Sequence, residues 1–133
     1  MLLGTRLLRC GRTAWLQLHG VLNWRTADQF QRGVEAGLSC PCRRVVMDLT
    51  GVEYVGGDIL RRLMNWHEQF TALEIELRLV VSAGSRCARS LALTGLDRVI
   101  PTFTRPDQAW QHQCHRCRAK SRRRAVAAGA GSP

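Results

Sequence analysis

The chain has 133 residues, enough for one domain around one core, and its 45% hydrophobic content is that of a soluble globular protein rather than a disordered one. Its net charge of +10 is uneven: residues 111–133 hold six Lys and Arg and no acid, so the rest carries 14 basic against 10 acidic residues, or +4. Charges interrupt every apolar run short of the roughly 18 residues needed to cross a bilayer, and the opening MLLGTRLLRCGR is too short in its apolar part for a secretion signal, so the expectation is a cytoplasmic protein whose six cysteines stay reduced.

Residues 1–12 read as an N-terminal segment or a ragged first strand, with Leu2, Leu3, Leu7 and Leu8 set among Arg6, Arg9 and Arg12. From Thr13, Ala14, Leu16 and Leu18 alternate with Trp15, Gln17 and His19, which predicts a half-buried strand ending at His19-Gly20. A helix follows, with Thr26 as N-cap and Phe30, Val34 and Leu38 facing inward. Ser39-Cys40-Pro41-Cys42 is a loop.

The continuous apolar run Val45, Val46, Met47 predicts a buried strand closed by Asp48 and a Thr50-Gly51 turn, with a second apolar segment from Val52 to Val55. Beyond Gly56-Gly57-Asp58, the residues Leu60, Leu63, Met64, His67 and Phe70 recur at helical spacing. A strand that runs straight into a helix presents the helix N-terminus, whose N–H groups lack intrahelical partners and whose dipole favours negative charge. This unit, Val45 to Leu63, is the expected seat of function.

Ile75, Leu77, Leu79 and Val81 make a further strand. Ser85 caps a short helix with Cys87, Ala88, Leu91 and Ala92 inward and Gly95 as a left-handed C-cap. Val99, Ile100 and Phe103 form a short last strand around Pro101, placed at an edge or in irregular pairing. Arg105-Pro106-Asp107 opens a final helix through Ala109 and Trp110, and residues 113–133 are a basic tail expected to be disordered. Strands separated by helices of these lengths are βαβ units, so the fold class is α/β with a mainly parallel mixed sheet and helices packed on it.

GVLN (20–23), VVMDLTGVEYV (45–55), LALTGLDRVIPTF (91–103) and PDQAW (106–110), in this order and spacing, resemble the STAS domain of anti-sigma factor antagonists over roughly residues 12 to 112. The resemblance implies a STAS (SpoIIAA-like) fold in a domain spanning residues 13–112. It also implies a non-catalytic protein-binding module whose partner is an anti-sigma factor that is also a serine kinase, or a related kinase-fold regulator. In that family the kinase phosphorylates a serine at the start of the second helix, in a D-S-S-G-L pattern, and so ends the interaction. Here the pattern reads Gly56-Gly57-Asp58-Ile59-Leu60, the acceptor position is Asp58, and no serine or threonine lies between Thr50 and Thr71. The resemblance therefore predicts a docking surface of Asn23, Gly56, Gly57, Asp58, Arg61, Arg62 and Asn65 without phosphorylation control at Asp58.

Asp58 has two readings, a helix N-cap or a permanent stand-in for phosphoserine. Gly56 and Gly57 mark either a turn with positive φ or the close approach of a partner backbone. Arg61, Arg62 and Asn65, opposite Leu60, Leu63 and Met64, are either a solvated face or part of the interface.

His112, Cys114, His115 and Cys117 have the chemistry of zinc ligands, but two HxC pairs depart from the usual spacing, and on a helix they divide between two faces; no metal is assigned. The basic run from Arg116 to Arg124 contains no aromatic residue on which bases could stack, so nucleic acid is not the expected partner, and a basic nucleic-acid-associated protein stays an alternative. The other alternative is a non-switching STAS component of a lipid-transport or stress-sensing complex. Neither a nucleophile and base pair nor a Gly-rich phosphate loop is recognisable, so no enzyme activity, cofactor or small-molecule substrate is expected.

Overall fold

The computed structural model describes residues 3–109. The described residues form five strands and five helices in the order β1 (Leu3–Cys10), β2 (Thr13–Leu22), α1 (Ala27–Leu38), β3 (Arg44–Val55), α2 (Gly57–Ala72), β4 (Glu76–Val80), α3 (Arg86–Thr94), α4 (Leu96–Val99), β5 (Thr102–Phe103) and α5 (Pro106–Ala109). The sheet order is β1-β2-β3-β4-β5. β1 pairs antiparallel with β2, the product of a tight hairpin at Gly11, whose φ of 59° lies in the left-handed region. The other three pairings are parallel, as strands joined by crossover helices must be. The expected mainly parallel α/β architecture is the one observed. The basic tail at 113–133, with its His and Cys residues, lies outside the described residues.

The main core lies between one sheet face and α1, α2 and α3. Leu16, Leu18, Val45, Met47, Leu49, Leu77 and Leu79 supply the sheet side. α1 buries Ala27, Phe30, Val34 and Gly37. α2 buries Ile59, Leu63, Trp66 and Phe70, a stripe at i, i+4, i+7 and i+11. Leu60, Met64 and His67, predicted to face inward, are only half-buried at its margins, because the helix is turned so that Trp66 meets Phe30 edge to face, centroids 4.8 Å apart. That contact fastens α1 to α2 above the centre of the sheet.

The opposite face is buried too. Cys10, Trp15, Val46, Val80 and Ala109 form a second cluster, flanked by Leu8 and Phe103. The predicted half-buried alternation of β2 therefore fails at Trp15, which is 3% exposed. Two arginines stiffen this face: Arg44 and Arg78 both pair with Glu76, at 3.2 and 2.6 Å, and Arg78 also lies over the Phe103 ring and donates to the Ala109 carbonyl at 2.9 Å. Cys10 is disulfide-bonded, contrary to the expectation of reduced thiols, while Cys40, Cys42 and Cys87 are free.

Asp48 does not end its strand, and Thr50-Gly51 is not a turn: β3 runs unbroken to Val55. The Asp48 carboxylate accepts from the Thr50 amide at 3.0 Å and the Thr50 hydroxyl at 2.7 Å, which satisfies this buried acid inside the strand. Beside it, β2 shifts register between Gln17 and His19 and again between Gly20 and Val21, and extends to Leu22 instead of stopping at His19-Gly20. A Cβ on Gly51 would come within 2.7 Å of His19 Cβ, so glycine is what lets the two strands stay paired across the irregularity.

The predicted Ser85 cap and Gly95 C-cap of α3 are both present, the Ser85 hydroxyl accepting from the Ala88 amide at 3.1 Å and Gly95 standing at φ 77°. Ala92 points to solvent. Val99, expected in the last strand, belongs instead to the short α4, and β5 is reduced to two residues after Pro101.

Candidate functional site

β2 and β3 are parallel, so their C-terminal ends emerge side by side, with Val21 opposite Tyr54 and Leu22 opposite Val55. In an open parallel sheet this edge is where connecting loops can be shaped for function without disturbing the core. The two connections are fastened to one another by the Gly56 amide, which donates to the Leu22 carbonyl at 2.8 Å.

The loop between β2 and α1 is built on a small polar knot. Thr26 is fully buried, and its hydroxyl donates to the Val21 carbonyl at 2.7 Å and accepts from the Asn23 amide at 3.0 Å. It occupies the N-cap position but makes no side-chain cap bond, because the hydroxyl is spent on the loop. Asn23 Oδ1 accepts from the Arg25 amide at 2.9 Å and the Thr26 amide at 3.3 Å. The turn so formed pushes Trp24 outward, 71% exposed, with the Arg25 guanidinium 5.0 Å from its ring centroid.

On the neighbouring connection the N-cap of α2 is Gly56, not Asp58. Its φ of −76° and ψ of 159° are open to any residue, and neither Gly56 nor Gly57 has positive φ, so the turn reading of this pair does not hold. Gly56 is nonetheless enclosed: a Cβ there would meet Asp58 Oδ1 at 2.8 Å and lie 3.6 Å from Asn23 Cα. Gly57 has open space around it. Asp58 is exposed in the first turn of α2, where its charge is favourably placed against the helix dipole, and its carboxylate folds back over Gly56.

Asn23, Gly56, Gly57 and Asp58 are thus gathered at one rim. Arg61, Arg62 and Asn65 continue from it along α2, at i+3, i+4 and i+7 from Asp58, on the side away from Ile59, Leu63, Trp66 and Phe70. Two residues that sequence reasoning missed stand at the same rim: Trp24, and Tyr54, which is 50% exposed. The available signal was a tryptophan between Asn23 and Arg25 in a connecting loop, where an aromatic residue has no core to enter. Tyr54 gave less warning, since it sits within the apolar segment Val52 to Val55.

The rim is chemically mixed. Exposed aromatics, three arginines (Arg25, Arg61, Arg62) and three acids (Asp28, Glu53, Asp58) alternate on it. Among the described residues no three His, Cys, Asp or Glu side chains gather as a metal site, and no helix is long and apolar enough to cross a membrane.

A protein-family model described as "Mlab, STAS domain" matches residues 7–102, which spans β1 to β5 and includes the whole rim. The chain belongs to this STAS domain family. No curated protein sequence matches it. Among solved structures, an anti-sigma factor antagonist from Mycobacterium paratuberculosis superimposes with a TM-score of 0.72 at 23% identity, covering 80% of this chain and 90% of that one. A Thermotoga maritima protein assigned to the same class gives 0.72 at 21% identity, over 80% and 92% of the two chains. The anti-sigma factor antagonist SpoIIAA in its unphosphorylated form gives 0.53 at 13% identity, over 72% and 97%. At these identities the likeness is one of fold, and it bears out the SpoIIAA-like architecture of this STAS domain.

Proposed function

We propose that this STAS domain is a regulatory protein-binding module that docks through the rim of Asn23, Trp24, Tyr54, Gly56, Gly57 and Asp58 and the adjoining Arg61, Arg62 and Asn65. Its partner is an anti-sigma factor or a related kinase-fold regulator, and phosphorylation at position 58 does not control the complex. The observation that carries this reading is the exposed carboxylate of Asp58 in the first turn of α2, beside an exposed Trp24, with no serine or threonine from Gly51 to Phe70. A carboxylate cannot accept phosphate as a stable ester, and its single charge falls short of the roughly −1.5 to −2 of a phosphoserine.

The test is binding of the full chain and of Asp58→Ser to such a kinase-fold regulator, followed by incubation with ATP. The wild-type chain is expected to bind and to take up no phosphate at position 58, and the serine variant to accept phosphate and then dissociate. A wild-type complex that ATP disperses would overturn the proposal. Tighter binding by the unphosphorylated serine variant would assign Asp58 as a phosphoserine stand-in; equal binding would dismiss that role.

A second reading is a STAS component of a lipid-transport complex that needs no phosphorylation switch, which the absence of any serine or threonine from Gly51 to Phe70 fits equally well. The same rim would serve. Proteins retained by the full chain, compared with those retained by a Trp24→Ala variant, separate the two: a kinase-fold regulator supports the first reading and lipid-transport components the second.

A further inference from the structure

The two edges of the sheet are unlike. β5 has two residues and follows Pro101, whereas β1 has eight residues, contains no proline and keeps its register with β2 from Leu3 to Cys10 without a bulge. An edge of the second kind presents a row of main-chain donors and acceptors ready to pair with another strand. We infer that β1 is a self-association surface: β1 of a second copy pairs antiparallel with it about a twofold axis at Leu7, so that the sheet of one copy runs on into that of the other.

The hairpin decides which groups face outward. Cys10 and Thr13 close the Gly11-Arg12 turn and so form a hydrogen-bonded pair. Bonded and non-bonded pairs alternate along an antiparallel ladder, which turns the main-chain groups of Gly4, Arg6 and Leu8 towards β2 and those of Leu3, Thr5, Leu7 and Arg9 away from it. The Leu3 amide shows the same direction, because it donates to Gln29 Oε1 on α1 at 3.0 Å. That bond shields the first outward donor. Among the described residues, no side chain or loop is bonded to the outward groups of Thr5 and Leu7.

Charge selects the register. Arg9 does not guard the edge, since its guanidinium folds back onto the end of α1 and donates to the Ala36 carbonyl and the Ser39 hydroxyl. A twofold axis at Arg6 would set this residue directly against its own copy, a like-charge pair that opposes association. Moving the axis to Leu7 places Arg6 opposite the second copy's Leu8 and Thr5 opposite the second copy's Arg9. The outward groups of Thr5, Leu7 and Arg9 then all find partners, in about six main-chain hydrogen bonds.

The helix above the edge fits the same axis. α1 sits over the seam between β1 and β2: a Cβ on Gly33 would lie 3.5 Å from Leu16 and 3.7 Å from Thr5, and one on Gly37 would lie 3.7 Å from Ala14 and 3.8 Å from Leu7. Pairing the edges therefore sets the two α1 axes two strand spacings apart, about 10 Å, which is a packing distance for helices. The row of α1 that overhangs β1 runs from Gln29 through Arg32 to Ala36. Ala36, which is exposed, comes to the axis beside Leu7, and its small side chain lets the helices approach. Strand direction reverses across the axis, so the rims at the ends of β2 and β3 point to opposite ends of the joined sheet and one dimer can hold two partners.

Sedimentation equilibrium of the full chain over a concentration series, with amide exchange followed by NMR on the same samples, tests the inference. The mass should rise with concentration towards twice the 15.0 kDa of one chain. The Thr5 and Leu7 amides should gain protection as the dimer fills, while those of Gly4, Arg6 and Leu8 are protected at every concentration. Thr5→Pro removes an outward donor without touching a bond to β2, and Ala36→Glu sets like charges at the axis; each should weaken association at least about tenfold and leave the urea midpoint near that of wild type. A monomer at every concentration, a dimer whose Thr5 and Leu7 amides still exchange freely, or a dimer that both substitutions leave intact overturns the inference. The wild-type exchange pattern and Ala36→Glu decide the matter even if Thr5→Pro fails to fold.

Discussion

Replacing Thr26 by Val tests whether one buried hydroxyl holds the rim together. The two side chains are nearly the same shape, so packing in this fully buried position is kept and the hydroxyl alone is removed. Its loss leaves the Val21 carbonyl and the Asn23 amide without the partners they have at 2.7 and 3.0 Å. A buried polar group stranded in this way costs about 1–3 kcal/mol, and because both are only partly shielded the pair is expected to cost about 2 kcal/mol. With a urea m-value of about 1.5 kcal/mol/M for a domain of this size, the midpoint should fall by about 1.3 M. Thr26→Ser keeps the hydroxyl and gives up a methyl group, about 0.8 kcal/mol, so its midpoint should fall less. The assay is urea denaturation followed by tryptophan fluorescence. If the valine variant is as stable as the serine variant, the hydroxyl is not what organises the loop, and the outward placement of Trp24 needs another cause.

Trp24→Ala should leave the denaturation midpoint nearly unchanged, since the side chain is 71% exposed, while partner affinity measured by calorimetry falls at least about tenfold, as for an aromatic anchor. Glu76 links stability to pH. Burial pushes its carboxyl up, but the hydrogen bond and charge of Arg78 and the charge of Arg44 outweigh this and hold it below the usual range. A depressed folded value means that its contribution is present above the unfolded carboxylate range and disappears as pH falls through the folded value, so the urea midpoints of wild type and Glu76→Gln should differ at neutral pH and converge in acid. Burial alone pushes the Cys87 thiol up to about 11, which keeps it protonated at neutral pH. Iodoacetamide should therefore label the exposed Cys40 in the native protein and reach Cys87 only on unfolding, as mass spectrometry of the modified peptides will show.

The elements that local chemistry controls were legible in the sequence. Ser85 and Gly95 bracket α3 because a hydroxyl cap and a left-handed C-cap are satisfied within a few residues of chain. The alternation of Leu77 and Leu79 and the long spacing between strands were enough to place a parallel sheet with helices on it. The rim was found in outline for a related reason: a strand running into a helix must present that helix's first turn, whatever surrounds it.

Other features depended on partners distant in sequence. Asp48 reads as a strand end because a lone acid in a strand is costly, and only the Thr50 bonds together with the shifted register of β2 make it tolerable inside β3. The inward stripe of α2 is chosen by Phe30 on another helix, which draws Trp66 into the core and turns Leu60 and Met64 aside. Trp15 is buried by a second cluster that draws on four strands and α5, something no period of two can announce. So the sequence by itself determined that this is an α/β STAS domain, and that the first turn of α2 carries an aspartate at position 58. The tertiary structure decided which residues share the rim, because Trp24 and Tyr54 come beside Asp58 only when β2 and β3 lie parallel and the Gly56 amide closes onto Leu22.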